Sequence, residues 1–307
     1  MVIKSFRSNP NKPGTVGNGP QAGGIAKSAG VMQSSAIALL AGLRVGFIDA
    51  DSTTAATSSL VDPTRHTVLK LTDDADFADR AQRTFAGFDL VFIDFGAAQL
   101  SNPETILPTL GIMDAFGGAA NCALILNQIP HKTGLTADLN RIGSFFSPRA
   151  QIRIARHNID GTGKFEDLPA ALANFPVHYV DNFPPNVDDL WRSRRLLPSD
   201  LIDAPPPGYE LATAKIALHL LRIAESEHFA EWLGAAAAIP KLRAAAKDAL
   251  KYTPPLPAEQ LTNAVLTAYD GLQRAMHKVL HAHSDADCVT SAREAQHYDR
   301  EYRAARA

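Results

Sequence analysis

The run Phe88-Asp89-Leu90-Val91-Phe92-Ile93-Asp94 constrains this chain more than any other segment. Leu90 to Ile93 is continuously apolar and rich in β-formers, without the polar alternation of a strand that keeps one wet face. Such a strand is covered on both sides, and helical crossovers on a parallel sheet do that. Two other runs repeat the pattern. Arg44–Asp49 (RVGFID) also ends on an acid, and Ala123–Leu126 (ALIL) ends at Asn127. Gln151–Ala155 and Pro176–Val180 are weaker strand candidates. Ala29–Gly42, Asp73–Phe85 and Pro103–Ala115 read as the intervening helices, the first stopped by Gly42. Val2–Phe6 reads as a short first strand, and the Gly-, Pro- and Asn-rich stretch Arg7–Gln21 as a mobile loop. The expected class is therefore α/β, a mostly parallel sheet flanked by helices.

The pattern changes after Leu197. Pro205-Pro206-Pro207-Gly208 marks a linker or sharp turn, and beyond it Glu210–Leu233, Pro240–Tyr252, Pro257–Leu280 and Ser291–Ala305 read as helices. In the third of these, Leu261, Val265, Tyr269, Leu272, Met276 and Val279 form one apolar stripe. The expected organisation is an α/β domain over 1–200 and a helical C-terminal region over 209–307.

Composition narrows the function classes. Lys+Arg number 30 and Asp+Glu 32, a net charge of −2, so no global field draws the chain to DNA or an anionic membrane. The best apolar run, Ser34–Leu43, is about half the ~20 residues of a membrane-spanning helix. The N-terminal residues lack the apolar core of a secretory signal. With only two cysteines, Cys122 and Cys288, a disulfide framework is not expected, and a cytoplasmic location is.

Chemistry is expected at Gln21-Ala22-Gly23-Gly24-Ile25-Ala26-Lys27-Ser28, just ahead of a helix. Small residues let successive backbone N–H groups converge on phosphate oxygens, a Lys meets the outer phosphates, and a Ser hydroxyl meets Mg²⁺. The strict GxxxxGK[ST] pattern is not met, because Gln21 and Ala26 stand at its two glycine positions.

With the strand ends Asp49-Ala50-Asp51, Asp94 and Asn127 in that order, the segment Ala22–Val180 resembles the ParA/MinD family of deviant-Walker P-loop ATPases. The resemblance implies a P-loop NTPase-like fold that uses ATP and Mg²⁺. It implies that Gly23 and Gly24 cradle the phosphates, Lys27 holds the β/γ-phosphates and Ser28 ligates Mg²⁺. Asp49 would support the metal's water shell, Asp51 would orient the attacking water, Asp94 would sit in the outer metal shell, and Asn127 would bond the adenine. Lys27 and Asp51 are thus the catalytic candidates. The family's cross-dimer lysine falls at Ala22, and the glycine before the Walker lysine is Ala26, whose methyl narrows the cradle. The stretch Arg7–Gln21 would separate the first strand from the loop. These departures mark a degenerate P-loop with weak hydrolysis.

The resemblance further implies a homodimer working with a ParB-like or other adaptor in plasmid or chromosome partition, conjugative transfer or cargo positioning. Trp191-Arg192-Ser193-Arg194-Arg195 is a local basic cluster. Arg192, Arg194 and Arg195 are candidates for non-specific DNA contact, against the alternative of a solvated turn. His277, His281, His283, Asp285, Asp287 and Cys288 crowd one helix end and read as exposed surface rather than a Zn²⁺ site. Two rival readings stand beside the ATPase: a pseudo-ATPase adaptor that keeps only the fold, and a ligase or synthetase with a deviant P-loop.

Overall fold

The computed structural model describes residues 5–9, 12–18, 27–50, 56–72, 76–96, 110–130, 135–181 and 194–250. The chain divides into two compact units, Met1–Lys251 and Tyr252–Ala307. The second unit lies outside the described residues, and with it the helices expected at Pro257–Leu280 and Ser291–Ala305, the Leu261–Val279 stripe and the His277–Cys288 cluster.

The strands are β1 Gly14–Asn18, β2 Val45–Asp49, β3 Val68–Lys70, β4 Leu90–Asp94, β5 Cys122–Gln128, β6 Gln151–His157 and β7 Val177–Val180. They form one seven-stranded sheet in the order β3-β2-β4-β1-β5-β6-β7, and every neighbouring pair is parallel. The helices are α1 Lys27–Leu40, α2 Ala56–Leu60, α3 Phe77–Thr84, α4 Leu135–Phe146, α5 Pro198–Asp203, α6 Glu210–Glu225, α7 Phe229–Leu233, α8 Ala238–Ala245 and α9 Lys247–Leu250. Residues 110–115 are also helical.

Alternate strand residues face opposite ways, and each face has its own core. Val16, Phe47, Phe92 and Ile125 meet α1 and the helices α5 to α8, through Val31, Ile37, Leu201, Ile216, Leu220, Phe229 and Leu242. Ile48, Val91, Ile93, Leu124 and Ile154 meet α3 and α4 on the other side, through Phe77, Leu139, Ile142 and Phe146. The α/β, parallel-sheet expectation holds. The helices of 198–250 belong to the same compact unit as the sheet, covering one of its faces.

Three expectations are corrected. Of the strand expected at Val2–Phe6, residues 2–4 lie outside the described residues, and the rest is not strand. Phe6 lies outside the sheet, buried, its N–H donating to the Trp232 carbonyl at 3.0 Å and its ring 5.1 Å from that indole. The stretch read as a mobile loop instead carries β1 at the centre of the sheet. Its glycines are packing requirements rather than turn signals. A Cβ on Gly17 would lie 2.6 Å from Phe95 Cε2, and one on Gly14 would lie 2.7 Å from Arg7 Cγ. Neighbouring side chains supply the bulk that a central strand normally carries itself.

The helix read over Glu210–Leu233 breaks at Ser226–His228, where Glu227 (φ 47°) and His228 (φ 57°) are left-handed. The buried Arg153 receives the freed carbonyls, donating to Glu227 O at 2.7 Å and to Ser226 O at 3.4 Å. The edge strand β3 was not expected. Val68 and Leu69 are only partly buried and Lys70 is exposed, a strand too short and mixed for a period to show.

Candidate functional site

Register assembles the site. Asp49, Asp94 and Asn18 are level across β2, β4 and β1. Each follows, two residues on, a core residue facing α1 (Phe47, Phe92 and Val16), so all three face α1 at the carboxyl edge of the sheet. By the same alternation Asn127 follows Ile125 in β5, and His157 follows Ala155 in β6.

Lys27 and Ser28 form the first turn of α1, directly above this row. Ser28 Oγ donates to Asp94 Oδ2 at 2.7 Å, and Thr57 Oγ1 of α2 donates to the same oxygen at 2.8 Å. The Ser58 N–H donates to Asp49 Oδ2 at 2.7 Å. Lys27, Ser28, Asp49 and Asp94 therefore share the edge at which open α/β sheets bind ligands. Gly23, Gly24 and Asp51, with Ala22 and Ala26, lie outside the described residues. The long insertion expected between first strand and loop is absent, because β1 ends at Asn18 and α1 begins at Lys27.

The electrostatics of Asp94 are unusual. Burial pushes its carboxyl up to about 6, the Ser28 and Thr57 hydroxyls hold it down, Asp49 adds to the rise and Lys27 opposes it. Its second oxygen, Oδ1, is buried with no hydrogen-bond partner among the described residues. Buried polar oxygens are normally satisfied, and a buried carboxylate calls for positive charge or donors.

Two carboxylates and a hydroxyl below a helix N-terminus suit Mg²⁺, which keeps several waters and completes its shell with phosphate oxygens. Among the described residues no group of three or more His, Cys, Asp or Glu is placed to hold a metal. These donors suit a metal shared with phosphate oxygens. Lys27, 9% exposed, stands beside it at the positive end of α1.

Asn127 is fully buried, and its Oδ1 lies 2.8 Å from His157 Nε2. Burial pushes His157 down to about 4, so at neutral pH the ring is uncharged and its Nε2–H donates to the amide oxygen. Gly30 of α1 makes room for this cluster. A Cβ there would lie 3.2 Å from Asn18 Oδ1 and 3.8 Å from Asn127 Oδ1. Both polar atoms of the Asn18 side chain are buried without a partner among the described residues.

In the basic cluster, Arg194 lies over the Tyr209 ring, 5.0 Å from its centre, and Arg195 donates to the Ser58 carbonyl at 3.1 Å. Trp191 and Arg192 lie outside the described residues. Sequence reasoning missed Thr57, Ser58 and Arg195 as parts of this region. The signal available was the hydroxyl-rich stretch Ser52–Ser59 after Asp51. A shallow pocket lined by Lys12, Pro13, Gln82 and Phe116 sits at the amino edge, away from the acids.

No protein-family profile matches the sequence, and no curated protein does. Solved structures resemble it at low identity. MinD from Pyrococcus horikoshii, complexed with Mg-ADP, is 16% identical over 69% of this chain and 95% of its own, with a TM-score of 0.46. A ParA-family ATPase from Chlorobium tepidum is 10% identical over 68% of this chain and 96% of its own, with a TM-score of 0.41. Chloroplast FtsY from Physcomitrella patens is 14% identical over 60% of this chain, which spans 64% of the FtsY chain, with a TM-score of 0.45. No helix among the described residues is long and apolar enough to cross a membrane.

Proposed function

We propose that this chain is a ParA/MinD-like nucleotide-binding protein that holds a nucleoside triphosphate and Mg²⁺ at the carboxyl edge of its sheet. The observation that carries this reading is Asp94. A buried carboxylate with one oxygen that has no partner among the described residues, beside Asp49, Ser28 and Lys27 under a helix N-terminus, suits a cation and an anion together. In this reading Ser28 ligates the metal, Asp49 and Asp94 support it, and Gly23, Gly24 and Lys27 hold phosphates. Asn127 meets the base, ATP being the nucleotide implied by the resemblance.

When bound, Mg²⁺ supplies charge neutralisation along the phosphates. The chain's own residues do the rest. Lys27 orients the phosphates, Asp51 orients a water, and α1 covers the row from solvent. The cargo role, in plasmid or chromosome partition or in conjugative transfer, belongs to the same proposal. So do the homodimer, the ParB-like adaptor, the cytoplasmic location and DNA contact through Arg192, Arg194 and Arg195.

Ala22 and Ala26 favour the second reading, a pseudo-ATPase adaptor. A charge that acts mainly in the transition state affects turnover more than binding. Ala22 removes such a contact, so binding with slow hydrolysis is expected. Calorimetric titration of ATP and ADP, with Mg²⁺ and with EDTA, tests the reading. Mg²⁺-dependent binding that weakens sharply in Lys27→Ala supports it. Turnover that rises in Ala22→Lys/Ala26→Gly shows that the rest of the machinery is intact. No binding in either the native or the restored loop leaves the adaptor.

A further inference from the structure

Arg195 is one of three non-glycine residues with a left-handed backbone among the described residues, at φ 53°. That conformation is disfavoured for any residue with a Cβ, and it persists where the surroundings over-determine it. Its guanidinium donates to the Ser58 carbonyl at 3.1 Å and also interacts electrostatically with the Asp62 carboxylate. Ser58 is also the residue whose N–H holds Asp49, and its neighbour Thr57 holds Asp94. Helix α2 is thus gripped from both sides, by the two acids of the site and by an arginine that leads into the C-terminal helices.

A second strut joins the same two segments. His66, in the turn after α2, has Nε2 3.3 Å from Asp200 Oδ2 of α5, and Asp200 also accepts the Leu197 N–H at 2.9 Å. The pair stands beside Phe47, whose ring meets His66 edge-on at 6.1 Å.

We propose that Arg195 is a positioning residue for the acid pair. It holds α2 so that Thr57 and Ser58 fix Asp94 and Asp49, and it makes residues 194–200 a mechanical extension of the site. Binding that rearranges the acids is then felt at the start of the C-terminal helices, and by linkage anything that moves those residues alters the acids' affinity for a cation. The ligand part of this inference rests on the metal–phosphate reading; the docking part does not.

The test uses the full chain and three substitutions. Arg195→Ala removes the guanidinium. Arg195→Gly removes it and also relieves the left-handed φ, separating side chain from backbone. Arg195→Lys keeps a cationic donor. On ligand-free protein, amide hydrogen exchange across α2 is expected to be about tenfold faster in the Ala and Gly variants and near wild type in Lys, with β2 and α1 unchanged. With nucleotide, the Mg²⁺ concentration for half-maximal binding is expected to rise severalfold in Arg195→Ala, while binding in EDTA is unaltered.

Unchanged α2 exchange overturns the proposal whatever nucleotide does. Equal acceleration in β2 and α1 also overturns it, by showing a general loss of stability. Faster α2 exchange with an unmoved Mg²⁺ midpoint breaks the link to the acids. If wild-type protein binds no nucleotide at all, the proposed function falls, and the exchange measurement alone decides the role of Arg195.

Discussion

Two regions of this molecule bury a charge beneath the helices, and they do it in opposite ways. Arg153, 2% exposed in β6, is well supplied with acceptors. It donates to the Ser226 and Glu227 carbonyls and to His178 Nδ1 at 3.3 Å, and its guanidinium lies 5.3 Å and 5.1 Å from the Phe229 and Trp232 ring centres. Burial lowers it only to about 10, so it stays protonated at neutral pH. Asp94, 1% exposed in β4, is left short. One oxygen takes two hydroxyls while the other has no partner among the described residues, and its carboxyl is pushed up to about 6. Burial of a charge is therefore no sign of a ligand site by itself. Between these two charges, what differs is how far their hydrogen-bonding capacity is met. Arg153 ties β6 to the turn at Ser226–His228, and Asp94 has an oxygen without a partner among the described residues, which the proposed cation would meet.

The largest expected effect is Arg153→Ala. It opens a cavity beside Phe229 and Trp232 and strands two carbonyls in a left-handed turn, a loss of about 3–5 kcal/mol in urea unfolding. A loss below about 1 kcal/mol would break the contrast, because Arg153 would then be dispensable to the fold.

Next comes Asp94→Asn, with the opposite sign. The folded carboxyl at about 6 lies above the unfolded value of 3.8, so the folded state holds its proton where the unfolded state has released it. The group's contribution to stability is thus complete below about pH 4 and is lost as pH rises through 6. The amide variant escapes that loss and should be more stable by about 3 kcal/mol at pH 8, with little difference at pH 4. The buried His157 and His219, pushed down to about 4 and about 3, act in the reverse direction, destabilising the protein as pH falls below 6.5. Their contribution is common to both proteins, so the difference between the two pH curves isolates Asp94. A variant no more stable than wild type at pH 8 would show that the carboxylate is already satisfied.

The contrast also explains what could be read in advance. β2, β4 and β5 were legible because each is an apolar run closed by a polar residue, and that closing residue necessarily lands at the carboxyl edge. Hence Asp49, Asp94 and Asn127 fell into place, with Lys27 and Ser28 above them. β1 was not legible, because Gly14 and Gly17 leave room for Arg7 and Phe95 and so imitate a turn. The pairing of Asn127 with His157 and the docking of Arg195 on Ser58 join residues far apart in sequence, and no local period encodes them. The break at Ser226–His228 was hidden for the same reason, since the arginine that donates to its carbonyls lies in β6.

Lys27→Ala tests the ligand side. The fold should tolerate it, since Lys27 is a polar residue at the rim of α1, but charge-assisted contacts to phosphate are worth about 2 kcal/mol. Nucleotide affinity should therefore fall roughly thirtyfold in Mg²⁺ by calorimetry. An affinity that survives would move the phosphate site away from α1.

The smallest effect sharpens the contrast most finely. Thr57→Val keeps the shape of a fully buried side chain while deleting one of the two hydroxyls on Asp94 Oδ2. That hydroxyl favours the charged carboxylate, so its loss raises the Asp94 pKa further above about 6. The pH-dependent fall in stability should then extend to higher pH, with a cost of about 1 kcal/mol at pH 8 and less at pH 4, where the protonated acid has less need of a donor. In the Asp94→Asn background the same substitution should lose its pH dependence, because no charge remains for the hydroxyl to serve. A cost of equal size at both pH values and in both backgrounds would show that Thr57 matters only as packing. The acid pair would then lose its claim to be held ready by α2.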